Sequence, residues 1–175
     1  MTTQDRILTA AKDLLLEKGP TSLSVRSIAQ FAGVNHGLIH HYFGSKEGML
    51  AEMIKRETGF VLDRIKKRLT GIQTPASASE AFVEEIIVHP EFGKIFPQII
   101  PLVLEYPSLK NTLAEVFQHR RQFLSERLGI SNPSDILILQ AGFLGLSLVS
   151  LIDESAKINE ALARIFELFL NKKNQ

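Results

Sequence analysis

The chain contains no cysteine. Disulfide scaffolds, thiolate metal sites and thiol nucleophiles are therefore excluded, and the composition fits a reducing interior. It has no strand signature either: no sustained period-two alternation and no Asn-Gly or Asp-Gly hairpin signal. Internal repeats and low-complexity tracts are absent. No P-loop, no GxSxG and no GxGxxG following a strand can be found, so no catalytic residues are assigned and no cofactor is expected. The N-terminus "MTTQDRILTA" is polar and carries an acid, which does not suit a signal peptide. The most apolar stretch, Ile136 to Ile152, is interrupted by Gln140, Ser147 and Ser150. It falls short of the roughly 20 residues a membrane span needs, so a buried helix and no membrane partner are expected.

What is present is ample apolar material and an uneven charge. Hydrophobic residues make up 45% of the 175 residues, enough for a real core. The formal net charge is only +1. Residues 1–70 nevertheless hold 11 Lys/Arg against 7 Asp/Glu, and residues 71–175 hold 9 against 12. A basic front and an acidic back suggest that the front meets a polyanion. "RIKKR", Arg64 to Arg68, reads as a solvated helix face near a C-terminus.

Helical punctuation runs throughout. Thr2 or Thr3 caps a first helix with the stripe Ile7, Ala10, Ala11, Leu14 and Leu15, ended by Gly19-Pro20. Ser24 caps a short second helix, and a third runs from about His36 to Phe43. Ser45 caps a long fourth helix that stops near Gly71. "QTPASAS" is a loop, and Ser77 with Glu80 reads as a capping box opening a fifth helix. In "PEFGKIFPQIIPLVLEYP", Pro97 and Pro101 imply one kinked helix or two short ones. Ser108 opens a helix ending at Gly129. "NPSD" then supplies a cap, a proline at the first helical position and an acidic first turn.

Three histidines fall within six residues in "VNHGLIHHYFGSKEGML". They lie just beyond "FAGV", where Gly33 supplies a left-handed turn between two helices. Ala29 is small enough for close crossing, and Ile28, Val34 and Ile39 face a shared core. Helix, glycine turn, helix is the pattern of a helix-turn-helix. The third helix would lie in a DNA major groove. His36 and His40 share one face, and Gly37 and His41 the next. Asn35 and Gly37 let backbone approach phosphates. Tyr42 donates to a phosphate, and Lys46 reaches across the groove. As a metal site the pair His36 and His40 lacks a third ligand, and no Glu lies between them as in "HExxH", so no metal is assigned.

Residues 3–50 resemble the DNA-binding domain of the TetR family of bacterial transcriptional regulators. The matching stretch is "TSLSVRSIAQFAGVNHGLIHHYFGSKEGML", above all "IAQFAGV", "GLIHHYF" and "SKEGML". One departure is His40, where the family usually has a phosphate-binding tyrosine. The resemblance implies an all-α cytoplasmic repressor. Its helix-turn-helix domain would occupy residues 2–62, with the motif at about 25–44, and a helical ligand-binding and dimerisation domain residues 72–175. DNA contacts fall on Ser24, Val25, Arg26, Asn35, His36, Gly37, His40, His41, Tyr42 and Lys46. The partners implied are double-stranded DNA with a palindromic operator, a small effector and a second copy of the chain.

No motif in the back half shows effector binding or dimerisation directly. Gly142 and Gly145 each cost about 1 kcal/mol relative to alanine inside a helix, and close helix–helix approach is the simplest compensation. A dimer interface is expected to use Gly142, Gly145, Leu146, Val149, Ile158, Leu162, Ile165 and Phe169 in a four-helix arrangement. A pocket is expected among Phe92, Phe96, Ile99, Ile100, Val103, Phe117 and Phe143, with the two prolines freeing backbone groups beside it. Few charges are in view there, so a mostly apolar effector is expected.

Overall fold

The computed structural model describes residues 1–88 and 91–170, apart from the side chains of Pro75, Ala76, Ser79, Val83, residues 86–88, Glu91, Phe92, Phe169 and Leu170. All regular structure in the described residues is helical: α1 (Thr3–Lys18), α2 (Val25–Ala32), α3 (Gly37–Phe43), α4 (Lys46–Arg68), α5 (Pro75–Val88), α6 (Glu91–Glu105), α7 (Leu109–Leu128), α8 (Pro133–Ile152) and α9 (Ile158–Leu170). A 3-10 turn at Pro20–Ser22 follows α1.

Local chemistry explains most of the boundaries. At α1 the Thr2 hydroxyl accepts from the Asp5 amide at 3.1 Å, and the Thr2 amide donates to the Asp5 carboxylate at 2.9 Å. These hydrogen bonds from Thr2 hold the Asp5 carboxyl below its usual range. At α8 the Asn132 side chain accepts from the Ser134 amide at 2.9 Å, with Pro133 at the first position.

One sequence expectation is corrected, and one open choice is decided. The cap of α5 is Thr74, whose hydroxyl accepts from the Ser77 amide at 3.2 Å. Proline suits the first helical position, so the helix starts at Pro75 and Ser77 falls inside it. Pro97 and Pro101 do not divide the segment, because both lie inside the single helix α6. Proline removes one backbone donor and crowds the preceding turn. Burial of Phe96, Ile99 and Leu102 on the same helix offsets that local cost.

The compact units are not consecutive in sequence. One comprises Met1–Gly59 with Gln98–Val116, and the other Phe60–Pro97 with the chain from Phe117 onward. In the first unit Ile7, Leu15, Ile28, Ile39, Leu50 and Ile54 are wholly buried, and α1 packs on α2. In the second unit α9 packs on both α5 and α8. Phe82 and Phe166 meet with ring centroids 5.2 Å apart, in the range of favourable aromatic pairs. Arg64 and Arg68 of "RIKKR" pair with Glu85 and Glu84, half-exposed contacts that contribute little.

Helix α8 departs from the expected buried helix. Its 20 residues are long and apolar enough to cross a membrane by length and composition, yet only 28% of the span is buried. Ile136, Leu139, Gln140, Phe143 and Ser147 form the inward face. Ile138, Leu148, Val149 and Ile152 are exposed.

Candidate nucleic-acid interface

The site begins with how α2 is bounded. Ser24 and Ser27 exchange hydrogen bonds, each amide donating to the other's hydroxyl at 2.9 and 3.0 Å. This reciprocal cap fixes the start of α2. Its end is Gly33, at φ 64° and ψ 41°. The left-handed region suits glycine, and the turn lets the Val34 amide reach back to the Ala29 carbonyl at 2.9 Å. From α1, the Arg6 guanidinium donates to the carbonyls of Ala32 and Gly33 at 2.8 and 3.2 Å. A cation at a helix C-terminus is favourable on electrostatic grounds as well. Arg6 thus ties the turn to α1. Sequence reading missed it, because the partners lie 26 and 27 residues away and a lone arginine on α1 carries no local signal.

Helix α3 is oriented by one buried residue. Ile39 has no exposure, and Ile28 of α2 has none either. Val34, expected to share this core, is only half-buried. With Ile39 turned inward, His36, Gly37, His40 and His41 all face outward, the result of i, i+1, i+4, i+5 spacing on a helix. The Asn35 side chain accepts from the Gly37 amide at 2.8 Å and organises the first turn. The Tyr42 ring is 38% exposed and meets His41 edge-on at 5.0 Å. The His40 Nδ1 lies 3.3 Å from the Gly44 carbonyl. Of the remaining expected contacts, Ser24 and Arg26 are exposed and Val25 is half-buried.

The turn from α3 into α4 is tight. Ser45 caps α4 by accepting from the Gly48 amide at 3.0 Å. A Cβ on Gly48 would lie 2.3 Å from the Phe43 carbonyl oxygen, so only glycine fits there without moving the backbone. Lys46 is half-buried. Its Nζ donates to the Tyr106 hydroxyl at 2.8 Å and sits 5.0 Å from that ring's centroid. Beside it the Ser108 hydroxyl donates to the Glu47 carboxylate. The sequence reading took Lys46 as a side chain reaching only outward. Its engagement with Tyr106, 60 residues on, had no sequence signal.

The exposed face of a short helix, delivered by a glycine turn and held by a buried isoleucine, is the arrangement of a helix-turn-helix reading head. Comparison with known proteins bears directly on it. The family model described as "Bacterial regulatory proteins, tetR family" matches residues 7–53. A protein of Mycobacterium tuberculosis named as an HTH-type transcriptional repressor is 26% identical over 178 residues, spanning 92% of this chain and 87% of the relative. Residues 7–53 of this chain thus carry the TetR-family DNA-binding pattern. The HTH-type transcriptional regulator UidR of Escherichia coli is 25% identical over 128 residues, covering 72% of this chain and 64% of UidR. A transcriptional regulator from Rhodococcus sp. shares the fold with a TM-score of 0.85 at 24% identity, covering 98% of this chain and 97% of that one. A transcriptional regulator of Streptomyces coelicolor gives a TM-score of 0.74 at 26% identity, over 94% of this chain and 98% of that one. The chain is accordingly a DNA-binding transcriptional regulator.

In the remainder of this regulator, the expected pocket residues are dispersed. Phe143 lines a small cavity of about 10 Å³ with Phe82, Leu124, Leu139, Leu162 and Phe166. Phe96 and Phe117 pack on each other at 5.8 Å between centroids. Ile99, Ile100 and Val103 fall in the first unit, Ile99 as core and Ile100 exposed, because α6 runs from one unit into the other. The side chain of Phe92 lies outside the described residues. The helix break is withdrawn, but inside α6 each proline still removes the donor that would reach the carbonyl four residues before it, Gly93 and Pro97. Two charged residues, Arg120 and Arg121, line this cavity together with the neutral Gln140.

The expected dimer residues divide in the same way. Leu162 is 3% exposed, buried in its own chain, and is corrected as an interface residue. Gly142 is occupied from within, since a Cβ there would lie 2.9 Å from the Ile165 Cδ1. Its small size serves α8–α9 packing inside the chain. Gly145 has nothing within 4 Å and is exposed, next to exposed Val149. Leu146 and Ile158 are half-buried. Phe169 lies outside the described side chains. Among the described residues no group of three or more His, Asp or Glu could hold a metal ion.

Proposed function

We propose that this regulator is a cytoplasmic homodimeric repressor that reads a palindromic operator through α3 and leaves it when a small effector binds the second unit. The reading assigns the chain binding roles and no catalysis. One observation carries it: the outward face of His36, Gly37, His40 and His41, fixed by the burial of Ile39. The three imidazoles supply donors and acceptors to base edges, and Gly37 leaves room for close approach. Ser24, Arg26, Tyr42 and Lys46 supply phosphate contacts, which set register. Dimerisation is supported by the exposed row Ile138, Ala141, Gly145, Leu148, Val149 and Ile152 on α8. Its spacing of three and four residues is that of a helix–helix seam, and two-fold pairing would match a palindrome. Release is a population shift, in which the effector favours a state whose two heads no longer fit the operator spacing. Helices α4, α6 and α7 each run from one unit into the other, so a change in one unit has a covalent route to the other.

The test is selection of bound oligonucleotides from a random pool, followed by salt titration of the winner. Palindromic sequences are expected, with affinity falling steeply with salt. Lys46→Ala is expected to weaken binding about equally across sequences and to flatten the log–log salt slope by roughly one unit per half-site. Recovery of no preferred sequence would overturn the operator reading. An unchanged slope would remove Lys46 from the phosphate contacts and leave it only its bond to Tyr106.

A further inference from the structure

The second unit contains a cation that its own fold does not use. Arg120 of α7 is 7% exposed, so its charge is almost wholly withdrawn from water. Among the described residues it has no carboxylate partner and no hydrogen-bond acceptor. Its guanidinium lies instead between two rings, 4.6 Å from the Phe143 centroid and 5.5 Å from that of Phe96. Two aromatic faces attract a cation but do not neutralise it. Burial pushes the Arg120 pKa down to about 10, which leaves it charged at neutral pH. A methionine of similar length would fill the same space without that desolvation cost. No fully sealed side-chain polar atom among the described residues lacks a partner. The remaining 7% exposure is therefore access that the guanidinium keeps.

The surroundings specify what could complete the site. Arg120 lines the small cavity together with Arg121, whose guanidinium donates to the Gln140 side-chain oxygen at 3.0 Å. Two cations and an amide are its polar lining groups, and no acid is among them. The other walls are Phe82, Phe143, Leu162 and Phe166 with their aliphatic neighbours. The cavity surface is almost wholly apolar, and the unpaired Arg120 guanidinium lies against one of its walls, Phe143, so an apolar ligand body carrying one negative group would suit both.

We propose that the effector is a small amphiphilic anion, a carboxylate on an apolar or aromatic body, with its head on Arg120 and its body among the phenylalanines. The proposal rests on the effector reading above and names the ligand class. At about 10 Å³ the cavity holds at most one water. Binding must therefore open it, and a ligand that binds only an opened state shifts the conformational equilibrium. Pairing the guanidinium with a carboxylate restores the neutralisation that burial removed.

The experiment uses the whole 175-residue chain, 4-phenylbutyrate and the uncharged 4-phenylbutanol, read by calorimetry and by release of operator DNA. The carboxylate is expected to bind at least tenfold more tightly than the alcohol. Arg120→Met should abolish that preference, and Arg120→Lys should retain part of it. If Arg120→Met does not fold, the parent's discrimination between the two probes and the lysine variant still decide the matter. Equal affinity for the two probes, or no binding of either, overturns the anionic assignment. Tight carboxylate binding that leaves operator affinity untouched supports the site and overturns the effector reading instead.

Discussion

Replacing Gly48 by alanine is expected to destabilise the DNA-binding unit by about 1–3 kcal/mol or more and to lower operator affinity by more than about tenfold, a loss of roughly 1.4 kcal/mol of binding. Gly48 sits in the first turn of α4, where helix propensity alone favours alanine by about 1 kcal/mol. The structure reverses the sign. The added Cβ would lie 2.3 Å from the Phe43 carbonyl oxygen and 3.4 Å from its carbon. Those are backbone atoms at the end of α3, so they cannot yield by a side-chain rotation. Either α4 or the end of α3 must shift, and α3 carries the reading face. Gly59, in the same helix, has nothing within 4 Å of its Cβ position. Gly59→Ala is therefore expected to stabilise by up to about 1 kcal/mol. Urea denaturation of both variants, with fluorescence anisotropy on operator DNA, checks the pair. A Gly48→Ala protein as stable and as tight-binding as its parent would show that the α3–α4 turn has slack.

Gly145→Arg is expected to convert the proposed dimer to a monomer at micromolar concentration and to weaken operator binding by roughly 10²- to 10⁴-fold, the advantage of engaging two linked half-sites. The side chain would enter open space in its own chain, since nothing lies within 4 Å of the Cβ position. Arginine is also a better helix former than glycine. The monomer fold is therefore not the casualty, and any loss reports on the partner. At the centre of the row from Ile138 to Ile152, the substitution places a long cation where a second helix should approach. Light scattering and anisotropy on the same samples read both effects. A variant still dimeric at low micromolar concentration would place the interface on another face. A parent chain that instead partitions into lipid vesicles would assign the α8 row to a membrane.

Much of the reading head was legible in the sequence because its determinants are local. Ser24, Gly33 and Ser45 act within a few residues of their own position, through caps and a left-handed turn. The outward face of α3 follows from helical spacing once Ile39 is known to be buried. The cap on α8 and the helical class have the same origin. Arg120 was also within reach: Leu113, Phe117, Leu124 and Leu128 are spaced as one helical stripe, and Arg120 falls inside it. A charge on an apolar stripe of α7 is a visible anomaly, and the sequence reading passed over it.

Other features needed the tertiary structure. Sequence order placed the boundary at a loop near residue 72, whereas residues 98–116 pack with the N-terminal unit. Arg6 on the α2–α3 turn, Tyr106 under Lys46 and Ile165 against Gly142 are contacts across 20 to 60 residues. Gly142 and Gly145 look alike in the sequence, three residues apart in one apolar helix. Only the packing of α9 separates them, filling the space over one and leaving the other open. The sequence by itself determined which segments are helices and which α3 side chains could share a face, because hydrogen bonding and periodicity act over one or two turns. The tertiary structure decided which apolar faces meet and where α6 passes between units. It also decided where a buried charge is left unpaired, because those outcomes depend on distances between residues that the chain order does not set.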